Sequence, residues 1–320
     1  MSSEGSSSNN NFDDYDDSTD SSEEEFIRQQ AEKAKVHLPR KSSTILIEKG
    51  KTAQLLADNN IDHTEYDSDD EDLNCSDLSV YETSTQCTSA VAHTSGRRNY
   101  NEDRICVATN IEGADLFAVF DGHNGHEAAT LCRNKLKQVY GSCHGNINDT
   151  FQSLNDIVSK ETTAGCTATI VAIKQNSIEV GNCGDSPAYV IRKDKSIEKI
   201  TYDHKATDPK EEEMIVKNGG VVMNLFGTKR VNGQIMVTRS IGDRSLHPPM
   251  TSIPTTKIIS KEDIISICVM SDGVTDALTD LEIRDIMTNG QPIEIRAQTI
   301  RNQAYKEGSK DNICVVVVDL

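Results

Sequence analysis

Beyond residue 87 of this 320-residue chain, short apolar runs are repeatedly bounded by carboxylates, and that pattern limits what it can fold into. Glu102 and Asp103 precede the run 104–108, Asp121 follows 116–120, and Asp185 closes the stretch after 177–182 within Gly-Asn-Cys-Gly-Asp-Ser. Asp272 follows 264–270 and Asp311 lies just before 313–318. A single acid at a strand end is an ordinary turn former. Several apolar strands sharing one core, however, bring their ends to a common edge. Carboxylates gathered there repel by about 4 kcal/mol per close pair at a moderate effective dielectric. Such a cluster calls for cations. With oxygen donors and no Cys or His-rich set, the ions expected are Mg²⁺ or Mn²⁺ rather than Zn²⁺. His123 and His126 are spaced by three with no Glu between them, which does not fit a zinc-binding helical pair.

The periodicity predicts strands at 104–108, 116–120, 167–173, 177–182, 188–192, 264–270 and 313–318. Several are continuous apolar runs, as in strands covered on both faces. Helices are expected at 126–140, 209–218, 280–287 and 292–306, the last with Pro292 in its first turn and Gly308 beyond its end. Strict βαβα alternation is missing, so an α+β layered architecture is expected rather than a Rossmann sheet.

Charge divides the chain. Residues 1–85 hold 21 acidic and 7 basic side chains, so −14 of the net −18 lies there. Residues 1–25 are too polar to offset the entropy of ordering, and disorder is expected. A short helical stretch is expected at 23–35, and apolar islands at Ile45, Leu46, Ile47, Leu55 and Leu56 interrupt the polar sequence. The division read is an acidic, largely disordered arm, 1–86, followed by a catalytic domain, 87–320. The arm is expected to engage protein partners and the chain to be a monomer. Neither part carries the clustered basic face that nucleic acid requires. No apolar run approaches the roughly 18 residues of a membrane span, and the opening lacks the regions of a signal peptide. Nine scattered cysteines without a C-x-x-C pair suit reduced thiols. An intracellular protein, cytoplasmic and/or nuclear, is expected.

From Cys87 to Leu320 the sequence resembles the metal-dependent protein phosphatases, the type-2C Ser/Thr phosphatases. Ten stretches carry the resemblance in the family's order. They are Arg98-Asn-Tyr-Asn-Glu102-Asp103, Asp121-Gly122-His123-Asn-Gly125, Gly165-Cys-Thr167-Ala168, Gly181-Asn-Cys-Gly-Asp185-Ser186, Asp203-His204-Lys205, Gly219-Gly220, Arg230-Val-Asn-Gly233, Thr238-Arg-Ser-Ile-Gly242-Asp243, Asp272-Gly273-Val-Thr-Asp276 and Gly308-Ser-Lys-Asp311-Asn312. The resemblance implies a four-layer α-β-β-α sandwich of two antiparallel sheets flanked by helices, with a binuclear Mn²⁺/Mg²⁺ centre at one end. On the same basis Asp121 would bridge both ions, Asp272 and Asp311 would complete the first site, and Glu102 and the Gly122 carbonyl would serve the second. Asp103 would hold waters on the ions, and Asp185, with Asp272 and Asp243, would hold a weaker third ion. Arg98 would grip the substrate phosphate and His123 would protonate the leaving alkoxide.

These residue types suit phosphate-monoester hydrolysis, among the slowest uncatalysed reactions. Two ions about 3.5–4 Å apart activate a bridging water for in-line attack without a phosphoenzyme. A guanidinium pairs two phosphate oxygens in a way that an ammonium does not, and an imidazole titrates near operating pH. The resemblance implies phosphorylated proteins as the substrates. The sequence departs from the family pattern at Asn124, Cys166, Pro187 and Thr275, none an expected ligand, and stretches 141–163 and 243–261 are short. These departures bear on substrate preference. A pseudophosphatase scaffold is the competing reading. Such a protein would lack a metal acid or the phosphate-binding arginine, and all are present here.

Overall fold

The computed structural model describes residues 87–320 and the backbone of the strand at 78–83. The readings made for residues 1–77, including the polar opening, the helical stretch and the apolar islands, lie outside the described residues. The elements begin with strands β1 (Leu78–Thr83), β2 (Thr88–Thr94), β3 (Arg104–Ile111), β4 (Ala114–Phe120) and β5 (Gly122–His123), then helices α1 (Glu127–Ser142) and α2 (Ile147–Glu161). Next come β6 (Gly165–Cys166), β7 (Ala168–Ile173), β8 (Ser177–Cys183), β9 (Ala188–Arg192), β10 (Ile197–Lys199), α3 (Pro209–Lys217), β11 (Val222–Leu225) and β12 (Thr228–Val231). The chain continues through β13 (Ile241–Gly242), β14 (Thr255–Ser260), β15 (Ile264–Met270), α4 (Asp272–Thr275), α5 (Asp280–Met287), α6 (Ile293–Lys306) and β16 (Ile313–Asp319).

Two antiparallel sheets form the centre. One has six strands in the order β1-β2-β16-β15-β9-β10 and the other five in the order β14-β8-β7-β4-β3. Their packing follows from the two-residue period of a strand. In β4, Phe117 and Val119 join the core between the sheets, whereas Leu116, Ala118 and Phe120 point to the layer containing α1 and α2. In β16, Cys314, Val316 and Val318 meet that same inter-sheet core, whereas Ile313, Val315 and Val317 pack with α5 and α6. Both sheets are thus buried on both faces, which is why their strands read as continuous apolar runs. The result is the expected α+β sandwich, with helices outside each sheet. Among the described residues, no helix is long and apolar enough to cross a membrane.

The seven predicted strands are all present, and those at Ala188–Arg192 and Ile264–Met270 have the predicted limits. The sequence reading assigns no element to 141–163, yet α2 fills most of it. Its apolar residues Ile147, Phe151, Leu154 and Val158 recur at helical spacing and are buried, and Asn146 caps it by accepting a bond from the Asp149 amide at 3.1 Å. Polar residues between those positions mask the stripe. The helix α5 starts on a full capping box between Thr279 and Glu282. Arg296 of α6 is buried and joins the Met287 carbonyl, the Gln291 carbonyl and Asp319, tying the outer helices to β16.

Antiparallel register gathers strand ends. Arg104 pairs with Phe120, Val119 with Thr169, and Ala168 with Cys183, so the residues just outside β3, β4 and β8 share one edge. In the other sheet Met270 pairs with Val315 and Ile313 with Thr94, which brings the segments after β15, before β16 and after β2 together. Phe117 is 1% exposed between the sheets. Phe117→Ala should cost about 3–5 kcal/mol of stability, measured as a lowered urea midpoint with an unchanged m-value.

Candidate active site

Each acid of the site sits on a chain segment held by specific bonds. Asn312 does most of the joining. Its Nδ2 donates to the carbonyls of Ser95 and Tyr100 at 3.0 and 2.9 Å, and its Oδ1 accepts from the Glu102 amide at 2.8 Å. The loop carrying Arg98, Glu102 and Asp103 is thereby fastened to the start of β16. The Glu102 carboxylate then accepts from the Gly125 amide at 2.7 Å, reaching the turn after Asp121 and Gly122. Ser271, between β15 and Asp272, donates to Asp103 at 2.8 Å and accepts from the Cys314 amide at 3.1 Å. One serine therefore links acids contributed by the two sheets.

Several of the aspartates in this group repel one another. Asp121 has its pKa driven well above the carboxylate range, first by lost hydration and then by repulsion from Asp103, Asp272, Asp185 and Asp311. Burial raises Asp272 to about 8, with Asp185, Asp276 and Asp311 adding to the rise and Lys205 opposing it. Burial also raises Asp103 to about 7, against the easing effect of the Ser271 bond. Asp185 is raised by burial too, opposed by Lys205, whose ammonium lies 3.1 Å away. Asp311 is paired with Arg98 Nη2 at 2.8 Å.

The donor chemistry fits hard divalent cations. The cluster consists of oxygen donors short of positive charge, and nearby Cys166 and Cys314 have thiol pKa values raised well above normal by burial, which disfavours the thiolates soft metals need. Among the described residues, no group of three or more His, Cys, Asp or Glu side chains is, as placed, arranged to hold a metal ion.

On the flank, His123 Nε2 lies 2.7 Å from Asp243 Oδ2, which also accepts from Ser240 Oγ at 2.6 Å. Gly165 is required there, because a Cβ would stand 2.1 Å from Asp243 Oδ2 and 2.4 Å from His123 Nε2. The structure thus brings Arg98, Glu102, Asp103, Asp121, Gly122, Asp185, Asp272 and Asp311 to one end, whereas Asp243 is engaged with His123 and not with Asp185. Besides Asp185, the acid that acts on both Asp272 and Lys205 is Asp276. Asp276, Lys205 and Asn312 all stood inside the motifs quoted above without a role. Ser271 carried no signal beyond its place before Asp272.

A family model described as Protein phosphatase 2C matches residues 83–313. The chain is 32% identical over 245 residues to "Protein phosphatase 1K, mitochondrial" from Xenopus laevis, a match covering 70% of this chain and 65% of that protein. It is 29% identical to "Protein phosphatase 2C homolog 1" from Saccharomyces cerevisiae, covering 64% of this chain and 81% of that one. The chain therefore spans just under two thirds of the frog relative's length. Among solved structures, a C. elegans sex determining protein superimposes with a TM-score of 0.69 at 23% identity, over 74% of this chain and 66% of that chain, a likeness of fold.

The raised carboxyl pKa values have a definite sign. The unfolded chain ionises these groups near pH 4, but the fold resists ionising Asp103 and Asp272 until about 7 and 8. Their contribution to stability is therefore complete below pH 4 and is lost as pH climbs to about 8. Metal-free protein should melt progressively lower between pH 5 and pH 8, and Mn²⁺ should restore more of the melting temperature at pH 8 than at pH 5.5. Thermal melts with and without EDTA across that range provide the measurement.

Proposed function

The chain belongs to the protein phosphatase 2C family, and from that premise we propose that it is a metal-dependent Ser/Thr protein phosphatase that hydrolyses phosphoserine and phosphothreonine by direct attack of water. The observation that carries this reading is the meeting of Asp103, Asp121, Asp185, Asp272 and Asp311 from two sheets, with an arginine at their edge. Asp121, Asp272 and Asp311 would hold one Mn²⁺ or Mg²⁺, and Asp121, Glu102 and the Gly122 carbonyl a second. Asp103 would orient waters beside them. Bound there, the ions would supply Lewis-acid activation of water and neutralise phosphoryl charge. Asp185 and Asp272 would hold any weaker third ion. Asp276 is better placed than Asp243 to complete that set, given its influence on Asp272.

Arg98 binds the phosphate of the substrate. Its guanidinium is half-exposed and bonded to Asp311, so a phosphate entering at that edge meets a planar donor already at the acid cluster. His123 donates the proton to the departing Ser or Thr oxygen, and Asp243, held by Ser240, fixes the imidazole's orientation. Residues 1–77, the part of the chain before β1, are assigned as an arm that steers protein partners. Deleting 1–77, which spares β1, is expected to change partner capture while aryl-phosphate turnover persists.

Phosphate release from a phosphothreonine peptide should appear with Mn²⁺ and vanish with EDTA. No turnover from folded, Mn²⁺-treated protein would instead favour the scaffold reading. Asp272→Ala should abolish turnover and reduce the Mn²⁺-induced rise in melting temperature, while near-normal activity would refute its assignment. His123→Ala should slow phosphopeptide hydrolysis far more than hydrolysis of an aryl phosphate, whose leaving group needs little protonation. Equal losses would remove the proton-donor role.

A further inference from the structure

We propose that Arg97 forms a subsite for a second anionic group on the substrate, so that the cleft favours phosphosites with an acidic side chain close to the phosphoresidue; this rests on the phosphatase reading. Arg97 and Arg98 are not equivalent neighbours. Arg98 is in an ion pair with Asp311, whereas Arg97 has no carboxylate partner among the described residues. Its guanidinium is nonetheless fixed. Nε donates to the Ser309 carbonyl at 3.1 Å, Nη2 to the Tyr305 carbonyl at 3.4 Å, and the group lies 4.9 Å from the centroid of the Tyr305 ring.

The loop behind these side chains is equally constrained. Gly96 has φ +61, and a Cβ on it would stand 2.2 Å from the Asp311 carbonyl oxygen, so the backbone there rests directly on the acid-bearing segment. The Arg98 amide closes a turn onto the Ser95 carbonyl at 3.1 Å. Arg98 Nε meets the Lys310 carbonyl at 3.1 Å, the residue after the one that Arg97 Nε meets. The two guanidinia are thus fastened to consecutive carbonyls, which sit on Cα atoms about 3.8 Å apart. A phosphate held by Arg98 would then leave Arg97 within reach of an anion about one or two residues along the peptide.

The surroundings strengthen the positive character of this lip. Lys306 and Lys310 are exposed on the same stretch, so that with Arg97 and Arg98 four basic side chains stand there against the two acids Glu307 and Asp311, the latter paired with Arg98. Stacking on Tyr305 and two carbonyl bonds hold the Arg97 guanidinium before any ligand arrives, so little ordering entropy remains to be lost on binding. A merely structural arginine would use the same carbonyl bonds to cap the end of α6. Substrate charge separates these roles.

The test compares kcat/KM for two phosphothreonine peptides that differ only in Asp or Ala at the two positions flanking the phosphoresidue, using full-length Mn²⁺-loaded protein. Wild type should favour the Asp peptide about three- to fivefold at low salt, and the preference should fade as salt is added. Arg97→Gln should bring the ratio to about one, Arg97→Lys should retain part of it, and Arg97→Glu should invert it in favour of the Ala peptide. A wild-type ratio of one, or equal proportional losses on both peptides in every variant, would overturn the subsite and leave Arg97 as a helix cap. If folded wild type also fails on aryl phosphate, the phosphatase reading itself is overturned, and the subsite with it.

Discussion

Repulsion among buried carboxylates is the constraint around which the rest of this fold is arranged. At moderate effective dielectric a close pair of such charges costs about 4 kcal/mol, which is comparable with the whole stability of many domains, about 5–15 kcal/mol. The protein moderates that cost with the hydroxyl of Ser271, the Gly125 amide, the Lys205 ammonium and the Arg98 guanidinium. What these leave uncompensated is met by retained protons or by cations. Rigid strands buried on both faces are what keep the acids from moving apart, so the sandwich core and the chemistry of its end are parts of one balance.

The flank obeys a different rule. His123 and Asp243 are mutually satisfied, and Ser240 takes up the same carboxylate oxygen. Space there is limiting, since Gly165 admits no side chain. One end of the molecule therefore holds charges in tension beside a pair at rest. That contrast suits the division of labour proposed above between binding ions and moving a proton.

Much of this was legible in the sequence because the signals were local. Apolar runs such as 264–270 and 188–192 identify strands by composition alone, and the acids beside them mark a common edge once antiparallel pairing is assumed. Other features depend on tertiary context. Residues 88–94, rich in Ala and Thr, make a strand because β16 and β1 pair with them on both sides. The helix at Ile147–Glu161 was obscured by Asn, Asp, Ser and Thr between its apolar positions. Asp276 and Asp243 show where motif reading stops. Both lie in matching stretches, but only the path of the chain determines which one faces Asp272 and which faces His123.

The strand order also carries a consequence for the time course of synthesis. β16 comes last among the described strands, yet it lies in the interior of the six-stranded sheet between β2 and β15, with Asp311 and Asn312 immediately before it. A chain emerging from the ribosome can pair β3, β4, β7 and β8, β1 with β2, and β9 with β15, but the two halves of the six-stranded sheet are joined only once β16 has been made. Until then the loop bearing Glu102 lacks the Asn312 bond that fastens it. The acid cluster is therefore completed only when this late strand takes its place between β2 and β15.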